Sequence, residues 1–157
     1  MRQKWLSFGD DYSIKNERGE DVFFVDGRTF SIGDKLSFED MHGNELAFIR
    51  QRLLTLGKTY EIERNGRTTT IHKHLLTLFS CTFSIDVPGP NDLEAKGNLV
   101  DHEYQIKDTR GQVVADVSKR WFRFTDTYGV DIAPGQDDVM ILAAAVVIDL
   151  CCHPDNK

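Results

Sequence analysis

A strand with one buried face shows up in a sequence as apolar and polar residues taking turns. Such period-two stretches, rich in β-branched and aromatic side chains, recur along most of this chain, as in Tyr60-Glu61-Ile62-Glu63. That stretch runs into Asn65-Gly66, a pair that favours a two-residue type I′ hairpin. Twelve glycines punctuate the pattern at short intervals, the spacing of many short strands. The alternation also repeats on a larger scale. Residues 12–40, 36–64, 60–86 and 104–132 share one plan: a strand, a charged turn closed by Gly19, Gly43, Gly66 or Gly111, a second strand, a basic step and an aromatic-rich strand. Successive units overlap, so that each last strand doubles as the next first strand. Residues 87–103, opened by Pro88-Gly89-Pro90, read as an irregular insertion. Any β-meander shows some self-similarity, and with or without true repeats the pattern predicts an antiparallel meander of about a dozen strands.

The C-terminus differs in kind. After Ala133-Pro134-Gly135 come Gln136-Asp137-Asp138 and the run VMILAAAVVIDLCC, which predicts a helix over about 136–152 with acidic residues at its positive dipole end. Only Asp149 is charged between Val139 and Leu150, so no face of this helix suits water and it is expected to be buried all round. About 14 residues at 1.5 Å each span roughly 21 Å, near the height of a barrel of short tilted strands. The expected fold is therefore mainly β: one domain over 1–157, a closed antiparallel barrel formed by the meander 1–133 around a central C-terminal helix. Small side chains at Ala143, Ala144 and Ala145 would let the wall come close. The competing arrangement, a helix between an open sheet and another layer, lacks a second helix to form that layer.

Composition changes the picture only by exclusion. The 157 residues suffice for one core, and 19 Lys and Arg against 25 Asp and Glu give a net charge of -6, which argues against general nucleic-acid coating. The longest apolar run, Val139 to Ile148, is about half a bilayer span, and Asp10, Asp11, Glu17, Glu20 and Asp21 stand where a signal peptide would be apolar. Neither secretion nor membrane insertion is expected. Three cysteines, Cys81, Cys151 and Cys152, without framework spacing suit a reducing cytosol. A cytoplasmic protein, peripheral at the membrane where it meets one, is the resulting expectation.

Three segments in order, QKWLSFGDDYSIKNERG near the start, IDVPGPNDLEAKGNLVDHEY in the middle and the terminal apolar helix ending in Cys-Cys, resemble the LURP-one-related family. That resemblance implies the tubby C-terminal-like fold, distantly similar to phospholipid scramblases. It also implies kinship with phosphoinositide-binding, membrane-tethered proteins, although fold alone does not assign function and no position here inherits a ligand role from it.

The strongest surface signal is basic. Ile49-Arg50-Gln51-Arg52-Leu53 aligns with Ile71-His72-Lys73-His74-Leu75 and with Val117-Ser118-Lys119-Arg120-Trp121, and Arg28, Arg52 and Arg120 each follow a turn glycine by nine residues. If Ile49, Leu53, Ile71, Leu75, Val117 and Trp121 face inward, period two sends Arg50, Arg52, His72, His74 and Arg120 outward along one rim. Residues 50–74 hold six Lys and Arg against two Glu, whereas residues 86–108 hold six acids against two Lys, so the barrel should be electrically lopsided. Guanidinium groups suit phosphate, and basic groups near an anionic leaflet gain about 1 kcal/mol each. The plain alternative is a solvated, edge-protecting face.

Other chemistry is weaker. Adjacent Cys151 and Cys152 with His153 and Cys81 lack zinc-knuckle spacing and read as apolar packing, or as redox-sensitive thiols if exposed. His102, between Asp101 and Glu103 and near Asp92 and Glu94, could act as a base but reads as part of a solvated acidic loop. Those carboxylates lack EF-hand spacing for calcium. No P-loop, G-x-S-x-G, H-E-x-x-H or C-x-x-C occurs, and Trp5, Trp121 and the ten Phe read as core lining. The expectation is a non-enzymatic binding module, without cofactor or metal, that meets anionic phospholipid head groups or another polyanion through Arg28, Arg50, Arg52, His72, His74 and Arg120. Its histidines would strengthen binding as pH falls through about 6.5. The alternative is a protein-interaction or stress-associated scaffold docking a basic partner on the acidic loop 91–103.

Overall fold

Three of the charged turns are one object built three times. At each, Asn16, Asp40 or Asp108 accepts two backbone N–H bonds on its side-chain oxygen, from Arg18 and Glu20, from His42 and Asn44, and from Arg110 and Gln112. The same residue's carbonyl accepts the N–H of Gly19, Gly43 or Gly111. Each of these glycines has a φ near +80°, the left-handed region a side chain would strain. A turn followed by a left-handed glycine produces a bulge in the ladder beside it. The register accordingly slips at Ile14/Lys15, Phe38/Glu39 and Ile106/Lys107, the same place in each hairpin. The fourth turn is the two-residue Asn65-Gly66 type, both residues with positive φ.

The computed structural model describes residues 2–7, 12–27, 35–75, 81–98, 101–119 and 127–152, with only the backbone described for 2–7, 75 and 81. Twelve strands lie among them: β1 (Arg2–Ser7), β2 (Tyr12–Lys15), β3 (Asp21–Asp26), β4 (Lys35–Asp40), β5 (Glu45–Arg52), β6 (Thr59–Arg64), β7 (Arg67–Leu75), β8 (Cys81–Asp86), β9 (Leu93–Asn98), β10 (Glu103–Asp108), β11 (Val113–Ser118) and β12 (Thr127–Ile132). All pair antiparallel with their sequence neighbours, and β1 is laddered both to β2, over Trp5–Ser7, and to β12, over Arg2–Ser7. The protein is thus mainly β, an antiparallel meander with one C-terminal helix, α1 (Asp138–Cys152).

Two boundaries differ from expectation. The helix starts at Asp138 rather than near 136, because Asp137 is its N-cap: its carbonyl takes the N–H of Ile141 at 3.0 Å and its carboxylate faces the N–H of Met140 at 3.4 Å. The stretch 87–103 is not an irregular insertion, nor is 91–103 an open loop. Leu93-Glu94-Ala95-Lys96 alternates buried and exposed, forms β9 and ladders to both β8 and β10.

Period two sorts the interior. Ile14, Val25, Phe38, Ile49, Ile62, Ile71, Phe83, Ile85, Ile106 and Val130 are fully buried and form one core with the helix. Each such side chain contributes about 1.5–3 kcal/mol by leaving water. Every helix residue from Val139 to Cys151 is buried, as an unbroken apolar surface requires, and the helix packs most closely on β5, β6, β7 and β12.

Candidate functional site

Strands β5, β6 and β7 lie side by side, and their register carries the basic residues onto one outward face. Arg52 sits opposite Thr59, Thr59 opposite His72, and Arg50 opposite Glu61. Glu61 is the hub: Arg50 reaches it at 2.7 Å and Arg52 at 3.5 Å, while Arg50 also meets Glu63 at 3.0 Å. The Glu61 hydrogen bond and both carboxylate charges push the Arg50 guanidinium further up from its already high value, so it stays charged. His72 shares a 3.1 Å hydrogen bond with Thr59 and lies 3.8 Å from Asp86; His74 shares a 2.8 Å bond with Ser84. The structure therefore brings together Arg50, Arg52, His72 and His74 from the predicted rim, tempered by carboxylates. Arg28 and Arg120 lie outside the described residues, as does Trp121.

Leu53 breaks the predicted pattern. Expected inward, it is half exposed, because β5 ends at Arg52 and alternation has no meaning in the turn beyond. The loop 53–58 that follows is the feature sequence reasoning missed. Leu54 and Leu56 are fully exposed, at 106% and 104%. Leu54 also has φ +63°, a left-handed conformation costing a branched residue roughly 1–2 kcal/mol. Thr55 secures the loop, its hydroxyl lying 3.1 Å from the Gly57 carbonyl and 3.5 Å from that of Arg52. The Lys73 N–H donates to the Lys58 carbonyl at 3.1 Å, extending the ladder to the base of the loop. The run Leu-Leu-Thr-Leu-Gly after a charged strand end was the available signal.

Inside the sheet at this same end sits a polar cluster. Asp149, the one charged residue in the helix beyond its first turn, accepts from Tyr12 at 3.0 Å and pairs with His102 at 2.8 Å, with side chains only 1% and 5% exposed for Asp149 and His102. His102 is not part of a solvated loop: its left-handed backbone, φ +54°, turns the ring inward, where it stacks on Tyr128 at 4.5 Å. Burial, then the Asp149 charge, pushes the Tyr104 and Tyr128 hydroxyls well above their usual range. Closed off from solvent, this His–Asp pair clamps the helix to the wall. Lys73, inward by period two, completes the clamp by donating to the Cys151 carbonyl at 3.0 Å, the cation that the helix's own last turn lacks. Cys151 is buried and Cys152 half-buried; His153 and the Cys81 side chain fall outside the described residues.

On the outer face of β7–β10 lies a groove of about 850 Å³ whose lining includes Asp86, Asp92, Glu94, Asp108, Lys96 and Lys107. Asp92 and Glu94 of the predicted acidic stretch meet there, whereas Asp101 bonds Asn98 at 2.7 Å and Glu103 takes the Ser118 hydroxyl at 2.9 Å. Among the described residues no three His, Cys, Asp or Glu side chains gather as metal ligands, and no helix is long and apolar enough to cross a membrane.

Comparisons with known proteins extend this geometry. The sequence profile of the LURP-one-related family matches residues 1–149. A Bacillus subtilis (strain 168) protein, YxjI, described as uncharacterized, is 35% identical over 156 residues, covering 99% of this chain and 94% of its own. An X-ray structure of a protein from Arabidopsis thaliana superposes with a TM-score of 0.72 at 17% identity, covering 94% of this chain and 89% of that one, a likeness of fold alone.

Proposed function

The chain belongs to the LURP-one-related family, and from that premise we propose that it is a non-enzymatic binding module which engages anionic phospholipid head groups, or another polyanion, at a membrane surface. The observation that carries this reading is the juxtaposition on adjacent strands of Arg50, Arg52, His72 and His74 at the end where Lys58 and the exposed leucines also lie. Glu61 serves as a splint in this reading: its carboxylate orients two guanidiniums, Glu63 takes a further contact from Arg50, and the donors that remain face outward for phosphate oxygens. A cytoplasmic location, peripheral at the membrane, follows from the same proposal.

The reading also takes the sheet as a closed barrel, supported by the ladders of β1 to both β2 and β12. Closure leaves no free edge for strand addition and directs binding to the ends and outer face. Slow amide exchange along β1 would agree with closure; exchange at the rate of an open edge would not.

Co-sedimentation with liposomes tests the function. Binding to anionic but not neutral vesicles, weakened by salt and reduced in Arg50→Gln/Arg52→Gln, is expected. Absence of binding at low salt would overturn the proposal. It would turn attention to the carboxylate groove, whose Asp86, Asp92, Glu94 and Asp108 suit a basic protein partner; reversal of Asp92 and Glu94 to Lys would then abolish partner capture.

A further inference from the structure

Resting on the reading that the basic end meets an anionic bilayer, we propose that the β5–β6 loop, residues 53–58, is a membrane anchor that inserts Leu54 and Leu56 beneath the head groups. Three independent observations meet there. The first is exposure: two leucines entirely in water and Leu53 half exposed, contiguous on one tip, are what a soluble surface avoids unless something covers them. The second is conformation. Leu54 holds φ +63°, where glycine would sit without strain, so the loop keeps a leucine at a position whose backbone argues against one. The third is order: Thr55 ties the tip to the Gly57 and Arg52 carbonyls, and Lys58 is laddered to Lys73, so the leucines are presented on a formed loop and little ordering cost remains at insertion.

Charge selects the occupant. The loop itself carries no carboxylate, ends in Lys58 and follows Arg50 and Arg52, whose charges Glu61 and Glu63 partly offset. Two copies meeting tip to tip would bring those cations together, whereas an anionic leaflet accepts cations and leucines at once, the cations staying at phosphate depth while the apolar tip goes deeper.

Tryptophan placed at the tip tests this directly. Leu54→Trp and, as a second probe at a residue without positive φ, Leu56→Trp are mixed with phosphatidylglycerol/phosphatidylcholine vesicles, the native protein supplying the Trp5 and Trp121 background. The added emission is expected to shift to the blue and to be quenched by lipids brominated high in the acyl chain. Leu54→Ser/Leu56→Ser is expected to keep low-salt binding and lose about tenfold or more at physiological salt, where electrostatics are screened. Probes that sediment with vesicles but show no shift or quenching overturn the anchor while leaving head-group binding intact. Native protein that sediments with no vesicle overturns both. A dimer by light scattering that the serine variant dissolves identifies the loop as a self-association contact and overturns the anchor.

Discussion

The end of the sheet that holds the helix N-terminus and the end that holds its C-terminus are built on opposite principles. At the first, the described turns satisfy themselves: Asn16, Asp40 and Asp108 take up the local N–H groups, glycines and the turn residue Asn65 occupy the left-handed positions, and Asp137 caps the helix while meeting Arg64 at 2.8 Å. At the second, a leucine occupies a left-handed position, apolar side chains face water, and a hydrogen-bonded His102–Asp149 pair lies inside the core. The difference teaches where to look for function. Local rules obeyed throughout describe a closed end; rules broken together at one end, and compensated by Thr55, Lys73 and Tyr12, describe a working one.

The largest test of this contrast breaks the buried clamp. Asp149→Ala removes the partner shared by His102 and Tyr12, and urea denaturation should show a loss of about 3–5 kcal/mol; a loss below about 1 kcal/mol would mean the pair does not hold the helix. Next comes Lys73→Met, which takes the cation from the Cys151 carbonyl and should cost about 1–2 kcal/mol in the same assay. Asn16→Ala, at the opposite end, frees two backbone N–H groups to water and should cost about 1 kcal/mol.

The smaller effects sharpen the comparison. Leu54→Gly relieves the left-handed strain against the added chain freedom of glycine, so it should raise stability by a few tenths of a kcal/mol while lowering vesicle affinity. A fall in stability would remove strain from the description of this loop. Acid titration separates two otherwise equal turns. Hydrogen bonds from the Asn44 side chain and then its backbone N–H hold the Asp40 carboxyl below its usual range, with smaller help from His42. A depressed carboxyl stabilises fully above its unfolded value and loses that contribution as pH falls through the folded one. Amides around 40–44 should therefore lose protection on acidification before those around 16–20, where the uncharged Asn16 holds the same seat; equal loss at both would contradict the assignment.

Much of the fold was legible because its determinants are local. A left-handed turn leaves a glycine in the sequence, so Gly19, Gly43, Gly66 and Gly111 marked their hairpins, and an apolar run with one charge marked a buried helix. Strand β9 was legible too, since Leu93-Glu94-Ala95-Lys96 alternates, but the flanking Pro88-Gly89-Pro90 and the acids drew the reading toward a loop. The basic face came through in part: Arg50, Arg52, His72 and His74 follow from period two, whereas their pairing with Glu61, Glu63 and Asp86 depends on cross-strand register. His102 and Asp149 are 47 residues apart, and Tyr12 and Asp149 are 137 apart; no spacing rule joins them. The one charge in the apolar run, Asp149, was the clue, because a buried carboxylate demands a partner.

Hydrogen exchange with and without anionic vesicles tests most directly whether the two ends differ in role. Amides of residues 50–58 should gain protection on vesicle binding while those of 16–20, 41–44 and 109–112 stay unchanged. Protection at the polar turns, or none at 50–58 in protein that sediments with the vesicles, would contradict the assignment of the leucine-bearing end as the membrane-facing one.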